Sequence, residues 1–451
     1  MYKLYNKPVT KVSPDIKIPE PRVSKLALLL ARPLGRIYLF LFFGVSKIVL
    51  SGNLLFDAFK RALAEESRCI LAFRHPNGGE SQILCWLTLF KLRSLAAKKG
   101  IRFARKPHAV FVYGYEVVRW GGWLPRLIMP NLGAVPVHHS KIDTKGMNRI
   151  YETISEGPYP LALAPEGQVS YLSDSIPRIE PGVIRIGFNA ALQMAEKNIK
   201  CPVEILPVSF HFRFGGFGKA SMERLLRKIE KYCGFSQRIN RKLPFEERLR
   251  NCRDHILEIN EKRYNINAGD SLSFEERLEK LAAAALETAE RMLGISSAGD
   301  FFARLYKVRH VCWDRIFLPG FENLKDMPPV ERSLKDLAAG EAWYISRHQE
   351  LADFGWYFRC PIPTDETALH VRVEYIQNLF DFANRTMGGA ISGRKKILLR
   401  KVVIKAAPAI NLSERLHDYK ENKKAAIAAA LSDLEKAYLD CISEINELEK
   451  D

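Results

Sequence analysis

The sequence predicts an α/β fold: a mixed, largely parallel sheet flanked by helices, with an N-terminal amphipathic, membrane-facing helix and a large, mostly helical insertion. Three observations predict it. Between residues 68 and 212, short apolar runs alternate with stretches of helical period, the pattern of strands buried on both faces. From 216 to 395 charged amphipathic segments dominate. A β-branched run then returns at KILLRKVVIKAAPAINL (396–412), where a strand can rejoin the earlier sheet. The domain plan is therefore a basic and hydrophobic membrane-associating segment (1–50), an α/β core (51–215), a helical insertion (216–395), and a strand and helix that close the core (396–451).

The first two dozen residues are Pro-rich and basic, and do not read as a cleaved signal peptide. Next comes LALLLARPLGRIYLFLFFGVSKIVL, from Leu26 to Leu50. Its uncharged run from Ile37 to Ser46 spans ten residues, short of the roughly 20 a spanning helix needs. Arg32, Arg36 and Lys47 interrupt the wider segment, and Pro33 breaks or starts a helix there. Apolar aromatics flanked by basic residues fit a helix lying in the membrane interface, with Arg and Lys at the headgroups. A buried core helix and a short spanning helix are the alternatives.

Candidate strands follow at CILAF (69–73), HAVFVYG (108–114), GAVPV (133–137), LALA (161–164) and VEILPVSFHF (203–212). Helical stretches lie between them, notably SQILCWLTLFKLRSLAAKKG (81–100) and GVIRIGFNAALQMAEKN (182–198). In the helical region, Ser273 and Glu276 have capping-box spacing ahead of an amphipathic run to Gly294. After the closing strand, a helix starts from Ser413 onward.

Composition narrows the classes of partner. The 451 residues are 47% hydrophobic and 27% charged, enough to bury a sizeable core. Lys and Arg number 69 against 51 Asp and Glu, a surplus of +18 that suits an anionic membrane surface or a phosphate-bearing substrate. No zinc-finger spacing, aromatic RNA-binding signature or helix-turn-helix pattern stands out, so nucleic acid is not an expected partner. The eight cysteines form no CxxC pair and most have apolar neighbours, as expected of reduced thiols in a cytosolic compartment. No metal site is expected.

Three histidines precede an acid by five positions: His75/Glu80, His138/Asp143 and His348/Asp353. His348 reads as helical, where that offset points the side chains apart. His138 and Asp143 have no glycine between them to free the backbone, and read as surface or supporting residues. His75 differs. It sits at a strand end, where sheet proteins place ligand sites, and Pro76-Asn77-Gly78-Gly79 can fold back tightly. Glu80 then falls near a helix N-terminus, where the dipole favours a carboxylate. A carboxylate beside an imidazole holds one tautomer and stabilises the imidazolium formed when it accepts a proton. No G-x-S-x-G elbow or activated cysteine accompanies this dyad, so the attacking hydroxyl would come from a substrate. A second strand end, LALAPEGQVS (161–170), carries Glu166 and Gly167, whose glycine allows close backbone approach.

In order, these stretches resemble the glycerolipid acyltransferase family, which includes the lysophosphatidic acid acyltransferases. The family's His-x4-Asp block reads His75-PNGG-Glu80 here. Its Gly-containing strand ending in Arg matches Gly133-AVPVH-His139. Its Pro-Glu-Gly is kept as Pro165-Glu166-Gly167, and its Val-Pro-Val strand is matched by Leu206-Pro207-Val208. VVIKAAPAINLSERLHDYKENKKAAI is similar to the family's ending. The resemblance covers roughly residues 45–215 and 396–451.

The resemblance implies an acyltransferase of phospholipid biosynthesis, with no cofactor. It would move an acyl group from acyl-CoA or an acyl carrier protein thioester to a hydroxyl of a lysolipid or glycerolipid, on the cytoplasmic face of a membrane. His75 would be the general base and Glu80 would orient it. Glu166 and Gly167 would help bind the acceptor, with His139 in the place of the family's phosphate-holding Arg. Glu80 replaces the usual Asp, Arg74 stands where a small polar residue is common, and Gln168-Val169 replace Thr-Arg. With both arginines changed, the expected acceptor is neutral or zwitterionic, or its phosphate is bound by Arg105, Lys106, Arg119 or Lys141. The alternatives are a non-catalytic lipid-binding or scaffold protein on the same fold, and a CoA-independent phospholipid transacylase.

Overall fold

Each of the five apolar runs ahead of residue 213 becomes a strand. The computed structural model describes residues 8–138, 143–176, 178–267, 272–389 and 394–448. Its main sheet has eight strands: β1 (Val45–Ser51), β2 (Arg68–Phe73), β3 (Val110–Gly114), β4 (Val135–Val137), β5 (Leu161–Leu163), β6 (Val203–Arg213), β7 (Arg400–Ala406) and β8 (Ile410–Asn411). The order is β1-β7-β6-β2-β5-β3-β4, with β8 also pairing β6. β7 and β8 run antiparallel to β6, and every other pairing in this sheet is parallel.

β6 is central because its run of Val, Ile, Leu and Phe is buried along ten of its eleven residues. Alternation along β2 sends Leu71 and Phe73 to one apolar layer and Ile70 and Ala72 to the other. After Arg213 the chain leaves the sheet and forms six long helices with their own apolar core, then returns at Arg400 between β1 and β6. The capping box at Ser273 forms as its spacing predicts. The C-terminal helix Lys423–Glu447 lies on the sheet, where the Tyr438 hydroxyl donates to the Ala72 carbonyl at 2.8 Å.

The N-terminal helix α1 (Lys25–Phe43) is long and apolar enough to cross a membrane by length and composition. Four features correct the reading of Leu26–Leu50. The helix stops at Phe43, because Gly44 adopts a left-handed φ of 68° and closes it as the C-cap. The β-branched residues beyond, Val45, Ile48 and Val49, form strand β1 on the edge of the sheet. Pro33 neither starts nor ends the helix; Ser24 caps the start, so the proline lies inside. Arg36 also turns away from a headgroup position, since it donates to the Val45 and Ser46 carbonyls that follow the helix. The outward face keeps Leu26, Leu29, Leu34, Ile37 and Leu41 exposed.

Tyr438→Phe removes the hydrogen bond from the C-terminal helix to the Ala72 carbonyl of β2. Urea unfolding should show a loss of about 1 kcal/mol, the usual net worth of a buried hydrogen bond.

Candidate active site

The carboxyl ends of parallel strands expose unpaired backbone groups and form the crevice in which such sheets place ligands. Here β2 ends at Phe73, and Arg74 and His75 follow. Arg74 is fully buried. Its Nε donates to Glu166 Oε1 at 3.2 Å, Nη1 to the Ser173 carbonyl at 2.6 Å, and Nη2 to the Leu172 and Ser175 carbonyls at 3.0 and 2.6 Å. Glu166 Oε1 also accepts the His75 backbone N–H at 2.8 Å, and the Ser170 N–H donates to the His75 carbonyl at 3.0 Å. Both backbone polar groups of His75 are therefore held by the turn that follows β5. The histidine has no freedom to slide along its strand.

The side chain is held from the other side. His75 Nδ1 lies 2.7 Å from Glu80 Oε2, which also accepts the Gly78 N–H at 2.8 Å. Glu80 is completely buried, whereas the His75 side chain keeps 22% of its surface exposed. The two glycines make this return possible. Gly78 has φ 91°, and a Cβ on Gly79 would lie 2.6 Å from Cδ1 of Phe43, the last residue of α1. Glu80 then begins helix α2 (Glu80–Trp86). Burial works against a charged His75, but the charge and hydrogen bond of Glu80, followed by the charge of Glu166, prevail and hold its pKa above the ordinary 6.5.

A residue without a sequence signal completes the surroundings. Arg400 opens β7, is 3% exposed, and donates from Nη1 to Asn77 Oδ1 at 2.6 Å. Its backbone N–H donates to the Gly44 carbonyl at 3.0 Å, which ties the end of α1 to the same loop. Burial pushes its pKa down to about 10, against the opposing pull of Glu80. No spacing rule links position 400 to position 77. An arginine opening a β-branched run is the only hint the sequence holds.

The other expected site residues are dispersed. Gly167 sits at φ 73°, and a Cβ there would lie 2.7 Å from Glu180 Oε1. Arg105 pairs with Glu65 at 2.7 Å and is exposed together with Lys106. Glu65 precedes β2 and both basic residues precede β3, so this group lies at the end of the sheet opposite His75. Arg119 is buried against Asp314 at 3.0 Å. It lines a cavity at the carboxyl ends of β3 and β4 with Tyr115, His138, Arg309 and His310. Arg309 and His310 come from the distant helix Phe301–Ile316, and sequence reasoning missed them. His139 and Lys141 lie outside the described residues. Of the two other spaced pairs, Asp143 caps the helix Thr144–Ser155 and accepts the His138 backbone N–H at 3.0 Å, while His348 and Asp353 separate, the first meeting Tyr264 and the second Arg309.

The arrangement can accept a proton at a fixed position. With Nδ1 engaged, Nε2 is the ring nitrogen open to a substrate hydroxyl. No protein-family model matches the chain, and no curated protein matches it.

Arg74→Met leaves Glu166 buried without its cation. Denaturant unfolding should show a loss of about 3–5 kcal/mol, the cost of breaking a buried ion pair from one side.

Proposed function

We propose that the chain is a membrane-surface O-acyltransferase of the glycerolipid acyltransferase type, moving an acyl group from acyl-CoA or acyl carrier protein to a hydroxyl of a lysolipid or glycerolipid. The observation that carries this reading is the 2.7 Å contact between His75 Nδ1 and the buried Glu80 at the carboxyl edge of the sheet. In the reaction, Nε2 takes the proton of the acceptor hydroxyl as its oxygen attacks the thioester carbonyl. The tetrahedral intermediate expels the thiolate by C–S cleavage, and the imidazolium returns the proton to give free thiol and ester. Glu80 keeps the ring in the tautomer that leaves Nε2 open and offsets the charge of the imidazolium. Of the basic residues expected to bind a phosphate, Arg119 is the described one at the carboxyl edge, and it would meet the acceptor headgroup. Residues 216–395 would act as an insertion whose helix Phe301–Ile316 covers that part of the edge.

Membrane attachment follows from two apolar faces. The start of α1 meets the end of the helix Trp123–Asn131, on which Trp123 is 71% exposed and Leu127 and Ile128 are exposed as well. The two are tied together by hydrogen bonds from the Arg22 and Ser24 N–H groups to the Pro130 and Asn131 carbonyls, at 2.8 and 2.9 Å. No acid lies between Glu20 and Asp57, while Arg22, Lys25, Arg32 and Lys47 lie there and can face a leaflet. Such a surface suits an anionic leaflet, as on the cytoplasmic side. The last residue of α1 touches Gly79, so the reacting loop would sit close to the lipid.

Thiol release from acyl-CoA in the presence of a lysolipid panel should fall by about 100- to 10,000-fold in His75→Ala, with unchanged thermal unfolding. The base must be neutral, so the rate should rise with pH through the elevated pKa of His75. Glu80→Gln should slow the reaction and move that rise to lower pH. Replacing Leu29, Leu34 and Ile37 with Ser should weaken vesicle binding by about tenfold or more per residue. Unaltered binding would place the attachment elsewhere.

A further inference from the structure

Apart from the His75 edge, the helical part of the molecule holds a second polar cavity, of about 150 Å³. It lies where the C-terminal ends of helices Phe245–Arg263, Pro329–Ala352 and Leu369–Thr386 meet. Arg263, Tyr264, Arg347, His348, Glu350 and Arg385 line it, and among its lining residues Leu351 is the only large apolar one. A pocket for an acyl chain would be lined the other way round.

The charges do not balance. Arg347 pairs with Glu350 at 2.7 Å. Arg385 reaches Asp353 at 3.6 Å, but Arg309 already holds Asp353 at 3.1 Å. Among the described residues, Arg263 donates to the Thr386 carbonyl alone, at 2.6 Å. Three guanidiniums thus line the cavity with one carboxylate, Glu350, while Asp353, shared with Arg309, and Asp381 lie behind Arg385. The carbonyls at the helix ends take one N–H each from Arg263 and Arg385. Among the described residues, Arg347 Nε and Arg385 Nε and Nη2 are buried without a hydrogen-bond partner, although the two guanidiniums stack on Trp343 and Phe354 at 4.6 and 4.4 Å. Crowding is also evident in the Arg347 pKa, which burial and then the nearby Arg385 push below its ordinary value, although Glu350 opposes them. Tyr264 Oη meets His348 Nδ1, and a hydroxyl donating there leaves the hydrogen on Nε2, one more donor.

Planar guanidiniums, a tyrosine and a ring N–H around a small polar space form the donor set that binds a phosphate dianion, whose oxygens accept several charge-assisted hydrogen bonds at once. We infer that this cavity is a binding site for a phosphate monoester, separate from the His75 site. The surplus of positive groups in the lining suits the charge of about −2 that such a group carries near neutral pH. The ligand could be a soluble phosphorylated metabolite or the headgroup of a lipid, and both present the same chemistry.

The test is calorimetric titration of the full chain with glycerol 3-phosphate, and in a second arm with dihexanoyl phosphatidate below its micellar concentration. Saturable one-to-one binding is expected. It should weaken by at least about tenfold in Arg263→Gln and in Arg347→Gln, and persist in Arg119→Gln at the other cavity. Arg263 is exposed, so its variant decides the matter if Arg347→Gln fails to fold. A soluble ligand is indicated if glycerol 3-phosphate binds as tightly as the lipid, and a headgroup if the phosphatidate binds much more tightly. No saturable binding in either arm, or binding that survives in Arg263→Gln and is lost in Arg119→Gln, overturns the assignment.

Discussion

The buried contact between Arg74 and Glu166 governs everything around it. A charge taken out of water is tolerated only when its partners are close and its hydrogen bonds satisfied. Arg74 meets that condition with one carboxylate and three carbonyls of the turn after β5. Because Glu166 also accepts the His75 N–H, the ion pair fixes the backbone from which the imidazole projects. The carboxylate of the Pro-Glu-Gly turn is thus a brace between two neighbouring strand ends. Its Oε1 is fully occupied inside the protein.

The second constraint converges on the loop Pro76–Gly79. Phe43, at the end of α1, lies against Gly79, and Arg400, at the start of β7, holds Asn77. These contacts come from opposite ends of the chain, and the Gly44 carbonyl links them by accepting the Arg400 N–H. A displacement of α1 would therefore press on the loop that carries Glu80. This is the physical link between the apolar outer face of the molecule and its candidate chemistry. It explains why both glycines are needed: one supplies the left-handed turn, and the other leaves room for an aromatic ring.

How far the sequence reveals this depends on the range of each interaction. Strands buried on both faces leave dense apolar runs, so β2, β5 and β6 can be read directly, and the His75/Glu80 contact follows from a five-residue spacing with two glycines inside it. Local pattern fails where the decisive partner is remote. Val45–Ser51 reads as a continuation of the apolar helix, because its strand identity comes from pairing with residues 400–405. Arg105 and Lys106 look like phosphate ligands by charge alone, yet the strand directions carry them to the far end of the sheet. Arg400, Arg309 and His310 reach their places only through the folded helical part, and no short motif records that. Arg74 seemed a departure from a resembling pattern; burial beside Glu166 makes it a structural requirement of this chain.

The central claim is that His75 is a base oriented by Glu80. Nitrogen-resolved NMR of the histidine rings across a pH titration, with the His75 signal assigned by its loss in His75→Gln, tests it most directly. The account predicts a neutral form that carries its hydrogen on Nδ1 and a pKa above the ordinary 6.5. A hydrogen on Nε2 in the neutral form, or a pKa at or below 6.5, would contradict it.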